Sequence, residues 1–123
     1  MTTVLLVEDS KSTRRMMSKL LIKQGLKVET AIDGVQALEI LPNVCPDLVV
    51  LDIVMPNMNG YELCRKIKAD PKTKDVPVVI CSAKSEEFDR YWGIKQGADA
   101  YIAKPFEERE LIATIKQFLK KLS

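Results

Sequence analysis

Few residues of this chain can do more than pack or solvate, and those that can stand in a regular place. Glu8-Asp9 close the short apolar run Val4 to Val7, and Asp52 closes the run Leu48 to Leu51. Ser82-Ala83 follow the run Val76 to Cys81, and Lys104-Pro105 follow Asp99 to Ala103. An unbroken apolar run fits a strand buried on both faces, and a charge at its end is delivered to the carboxyl edge of a parallel sheet. Ligands of open α/β sheets bind at that edge. Three carboxylates brought together there repel one another unless a cation lies among them. An all-oxygen donor set with room for water and phosphate oxygens suits Mg²⁺. Lys104 adds a point charge for a phosphoryl oxygen, while the Ser82 hydroxyl and the Ala83 N–H add hydrogen-bond donors. Together they could stabilise charge spread over a phosphoryl group in transfer. Asp52 is then the carboxylate nucleophile, which becomes an aspartyl phosphate.

The chain contains no histidine. That removes imidazole base chemistry, Ser-His triads and most zinc sites. The three cysteines, Cys45, Cys64 and Cys81, are widely spaced, with no Cys-x-x-Cys pair. They read as free thiols of a reducing cytosol. A net charge of +2 with dispersed basic residues gives no nucleic-acid-binding field. No apolar run approaches a membrane span, and Met1-Thr2-Thr3 leads into a strand without a signal-peptide pattern, so a cytoplasmic protein without membrane insertion is expected.

The elements that must position these residues alternate. Ser10–Gln24 reads as a helix with Met16, Met17, Leu20 and Leu21 on its apolar face, stopped by Gly25. Lys27–Ala31 alternates like an edge strand. Asp33 is placed to cap a second helix, with Gln36 completing a capping box and Pro42 limiting its extent. Asn59-Gly60 open a third helix that ends at Asp70-Pro71. Ser85 is placed to cap a fourth over Glu86–Gln96, ended by Gly97. Phe106–Leu122 is a last amphipathic helix, with Leu111, Ile112, Ile115, Phe118, Leu119 and Leu122 inward and Lys116, Lys120 and Lys121 solvated. With 123 residues, 46% hydrophobic and 29% charged, the expectation is one domain over 1–123. Its architecture is a single doubly wound α/β fold, a parallel sheet with helices on both faces.

Taken in order, Glu8-Asp9, Asp52 with Met55-Pro56 and Asn59-Gly60, Ser82-Ala83, Tyr101 and Lys104-Pro105-Phe106 resemble the receiver domains of two-component response regulators, in particular the stand-alone CheY-like kind. The resemblance covers the whole chain. It implies a flavodoxin-like five-stranded sheet in the order 2-1-3-4-5. It implies phosphoryl transfer from a histidine kinase to Asp52, with Mg²⁺ held by the side chains of Asp9 and Asp52, the carbonyl of Val54 and, through water, Glu8. Ser82 and Tyr101 become a switch pair, and Lys104-Pro105 a cis peptide. Binding of a downstream target protein would change on the surface of the fourth helix, fifth strand and fifth helix. Such a domain is no true enzyme but a phosphoacceptor that assists its own phosphorylation and dephosphorylation.

With no output domain after Ser123, it would act by contact or by draining phosphate from a relay. It would be a monomer or a weak phosphorylation-dependent dimer. Val54 and Lys84 stand where the best-known chemotaxis regulator has polar or acidic groups, which bears on phosphoryl lifetime. Residues 92–101 also resemble PilH-type regulators of pilus-driven twitching or phototactic movement.

Other readings compete. A flavin carrier would need a neutral loop after strand one, where Glu8-Asp9 stand. An aspartyl phosphatase would need an acid at Val54. A receiver that works without phosphorylation would not need the full set of acids, hydroxyl and lysine. Taken singly, Asp52 and Glu8-Asp9 could be turn or cap residues, Ser82 a turn hydroxyl and Tyr101 an immobile strand aromatic.

Overall fold

The computed structural model describes residues 2–119. Its elements are β1 (Thr3–Val7), α1 (Lys11–Lys23), β2 (Lys27–Ala31), α2 (Gly34–Val44), β3 (Leu48–Leu51), α3 (Gly60–Ala69), β4 (Val78–Ser82), α4 (Glu87–Lys95), β5 (Ala100–Ala103) and α5 (Glu108–Leu119). All strand pairs are parallel, in the order β2-β1-β3-β4-β5. This is the flavodoxin-like, doubly wound architecture expected from the alternation of elements.

The period of two along each strand sorts the core into two layers. Leu5, Val7, Val49, Leu51, Val78 and Ile80 face α2 and α3, where Ala37, Leu41, Leu63 and Ile67 are buried. Val4, Leu6, Leu48, Val50, Val79 and Ile102 face α1 and α5, where Met17, Leu20, Leu21, Leu111 and Ile115 are buried. Central β3 is buried along its whole length, whereas β2, at one edge, is exposed in part. Strand apolarity therefore reports sheet position.

Several local expectations are corrected. Pro42 does not end the second helix but lies inside it. The helix continues to Val44 and closes at Cys45, whose backbone is left-handed at φ 47°. The proline costs the helix one N–H, the one that would meet the Leu38 carbonyl, and Cys45 N–H still closes the last turn on Leu41 O at 3.0 Å. Ser85 is not the cap of α4. That position falls to Glu86, whose N–H donates to the Asp89 carboxylate at 3.1 Å. Met16 is 45% exposed, so the buried face of α1 is Met17, Leu20 and Leu21. Helix α5 begins at Glu108 rather than Phe106. The expected placements of Lys120, Lys121 and Leu122 lie outside the described residues. Among the described residues no helix is long and apolar enough to cross a membrane.

Candidate functional site

Parallel register brings the ends of β1, β3, β4 and β5 to one edge. There one carboxylate oxygen each from Glu8, Asp9 and Asp52 lies within 4.8 Å of the others. The Lys104 ammonium reaches across them, 2.5 Å from Glu8 Oε1 and 3.1 Å from Asp52 Oδ2. Glu8 is almost fully buried, Asp52 partly so, and Asp9 is exposed. Burial pulls the Lys104 pKa down, but Glu8 and Asp52 more than offset it, so the group is held above its ordinary value and stays an ammonium.

The remaining oxygens are held by backbone. Glu8 Oε2 accepts from Ser10 N–H at 3.0 Å. Asp52 Oδ1 accepts from Ile53 N–H at 2.6 Å and from Val54 N–H at 3.4 Å. Val54 thus lies directly beside the carboxylate, its side chain exposed. Helix α3 starts hard against this turn: a Cβ on Gly60 would stand 2.1 Å from the Asp52 carbonyl oxygen, so no other residue type fits there. Gly60 N–H closes the turn on Ile53 O at 2.9 Å.

Three acids against one ammonium leave a local surplus of negative charge, all of it on oxygen donors. A hard divalent cation such as Mg²⁺ fits this set, with exposed Asp9 free to turn toward it. Glu8, Asp9 and Asp52, with the backbone of Val54, are the groups that would hold it.

Ser82 is fully buried, and its hydroxyl accepts from Lys84 N–H at 3.3 Å, while Ala83 beside it is exposed. The Tyr101 hydroxyl donates to the Lys84 carbonyl at 2.5 Å. Both expected switch residues therefore touch the backbone of Lys84, one on its N–H and the other on its carbonyl. Burial, and then the neighbouring Tyr61 and Asp89, push the Tyr101 hydroxyl above its usual pKa, which keeps it a donor. Arg90 lies over the Tyr101 ring, 5.5 Å from its centroid. The Lys104-Pro105 peptide is cis. A groove of about 520 Å³ opens beside Ala83, Lys104 and Phe106.

The expected site residues Glu8, Asp9, Asp52, Val54, Ser82, Ala83 and Lys104 thus lie together, and Tyr101 joins them through Lys84. Reading the residues in order missed Arg14. Its Nη1 donates to the carbonyls of Glu8 at 2.9 Å and Asp9 at 3.3 Å, placing a cation beneath the acids. Its position one turn past the acid pair was the available signal.

The match to known proteins accords with this geometry. Residues 4–116 match the family model described as response regulator receiver domain. The chain belongs to that family. It is 38% identical over 121 residues to the response regulator ArlR of Staphylococcus aureus, covering 98% of this chain and 54% of that protein. It therefore spans about half the length of the curated relatives it matches. Among solved structures, chemotaxis protein CheY4 of Vibrio cholerae superposes with a TM-score of 0.91 at 32% identity, covering 97% of this chain and 99% of that one. The receiver domain of sensor histidine kinase PA1611 from Pseudomonas aeruginosa PAO1 gives a TM-score of 0.89 at 28% identity, covering 97% of this chain and 98% of that one. That structure is described with a magnesium ion coordinated in the active-site cleft. A receiver domain is a phosphoacceptor switch of two-component systems, not an enzyme in the ordinary sense.

Proposed function

We propose that this receiver takes a phosphoryl group onto Asp52 from a phosphohistidine of a histidine kinase and changes its binding to a downstream target protein in response. The observation that carries the reading is the meeting of Glu8, Asp9 and Asp52 oxygens with the Lys104 ammonium at one sheet edge. An Asp52 carboxylate oxygen forms the new bond to phosphorus as the bond to the donor nitrogen breaks, and the donor imidazole leaves with the electron pair. When bound, Mg²⁺ supplies charge neutralisation for the acids and the phosphoryl oxygens. Lys104, protonated throughout, exchanges its contact with Asp52 for a phosphoryl oxygen. The Ser82 hydroxyl and the Ala83 N–H donate to others.

The switch follows from shared backbone. Turning the Ser82 hydroxyl toward a phosphoryl group takes an acceptor from Lys84 N–H, and the Lys84 carbonyl holds Tyr101. Two pre-existing arrangements of this loop and ring are thereby biased by the new charge. The surface best placed to read them is that of α4, β5 and α5. Helix α4 buries only Gly93 and exposes Phe88, Tyr91, Trp92 and Ile94, with the Phe88 and Trp92 rings stacked at 6.3 Å.

Incubation with acetyl phosphate and Mg²⁺ should add one phosphoryl group, labile to alkali, as read by intact mass. Asp52→Asn should abolish the adduct, and chelation of the metal should slow its formation severely. An adduct that survives Asp52→Asn, or sustained turnover of a phosphate ester, would overturn the proposal.

A further inference from the structure

Asp33 was expected only to cap α2, and capping uses half of it. Its Oδ1 accepts from Gln36 N–H at 2.8 Å, which is the cap. Its Oδ2 accepts from the Asn57 side-chain amide, also at 2.8 Å, across 24 residues of sequence. Asp33 is 7% exposed, and the two amides lower its pKa, so it is held as a carboxylate.

Asn57 lies in the loop between β3 and α3 that begins at Asp52 and carries Val54. Its backbone is left-handed, φ 68°, immediately before the Met58 N–H bond to Pro56 O at 2.7 Å. The same loop seats Met58 on Gly34, the residue after Asp33: a Cβ there would come within 2.9 Å of the Met58 sulfur. One end of the loop is thus tied to the strand end by Gly60 and Ile53, and its middle to the start of α2 by Asp33 and Gly34.

We infer that Asp33 is a positioning residue for the phosphoacceptor loop: anchored by the α2 N-terminus, it holds Asn57 and so presents the Val54 backbone beside Asp52. This rests on the function proposed above. A loop ordered before the cation arrives loses less conformational freedom on binding, so affinity should fall when the tie is cut.

Two substitutions cut it from opposite sides. Asp33→Ser keeps a capping oxygen for Gln36 N–H but cannot span to Asn57. Asn57→Gly keeps the left-handed backbone and removes the amide. Isothermal titration of the unphosphorylated protein with Mg²⁺ should show each single variant weakened about tenfold, the low end for outer-shell partners of a metal site. The double variant should be no weaker than either single one, because both remove the same bond. Amide hydrogen exchange of residues 53–59 should speed in all three, while thermal unfolding moves little. Wild-type affinity in both single variants, or effects that multiply in the double, would overturn the inference while leaving phosphorylation of Asp52 intact. A wild-type protein that neither binds Mg²⁺ nor accepts a phosphoryl group would overturn both.

Discussion

Two lysines with equally exposed side chains, 19% each, sit at opposite edges of the sheet and do opposite things. At the amino edge Lys68 donates to Val76 O at 2.8 Å and to Asp99 Oδ2 at 2.9 Å, and Val78 N–H donates to that same oxygen. One ammonium meets one carboxylate, and both are tied to the backbone where β4 and β5 begin. That cluster pairs one charge with one charge and is tied to the backbone at the start of β4, so it closes the fold and asks for no ligand. At the carboxyl edge Lys104 is likewise bonded to acids, Glu8 and Asp52, but a third and exposed acid, Asp9, stands beside them. An ion pair therefore says little about function. A surplus of like charge, held in place by a fold that gains nothing from the repulsion, says a great deal.

Removing each ammonium should separate the two clusters. Lys104→Met keeps the aliphatic volume but leaves buried Glu8 and partly buried Asp52 without their ammonium. Breaking such a buried pair costs about 3 kcal/mol or more. In urea denaturation the loss should be largest with the metal chelated and should shrink when Mg²⁺ is supplied, since the cation takes over the neutralising role. Lys68→Met should cost less, about 1 to 2 kcal/mol from lost hydrogen bonds to charged and backbone groups, and Mg²⁺ should not restore it. If Mg²⁺ rescued both variants equally, or neither, the distinction between a closing cluster and a binding cluster would fail.

What was readable beforehand follows the same division. The apolar runs and the charges that end them placed the acids, the hydroxyl and the lysine at one edge, because in a parallel sheet every strand end points the same way. Tertiary ties were not readable. Asp33 looked like a cap because one of its oxygens is one, and nothing near it in sequence announces Asn57, 24 residues on. Arg14 looked like one more solvated cation of α1, and only the path of the chain shows that it turns under Glu8. Pro42 misled for a local reason, since it removes a single N–H from the ladder, and the turn after it is still closed by the Cys45 N–H on Leu41 O at 3.0 Å. The segment 92–101, on which the resemblance to motility regulators rests, is fold-bearing in part. Gly93 is buried against Ile80 and Tyr101, Gly97 makes the turn at φ 105°, and Asp99 belongs to the Lys68 cluster. Residues with such duties carry little information about a pathway.

The smallest expected effect concerns pH. In the folded protein burial alone would lower the Lys104 pKa, but Glu8 and Asp52 raise it above the ordinary 10.5. A raised lysine pKa means that the folded state binds the proton more tightly than the unfolded state. The stability this gives is fully present below 10.5 and is lost as pH climbs through the folded value. Stability measured between neutral pH and strongly alkaline solution should therefore fall more in the metal-free wild type than in Lys104→Met, which has no proton there to lose. With Mg²⁺ bound the wild-type slope should flatten, because the cation competes with the ammonium for the same two carboxylates. Equal alkaline slopes in wild type and Lys104→Met would mean that the acids at this edge hold Lys104 no more tightly than solvent does.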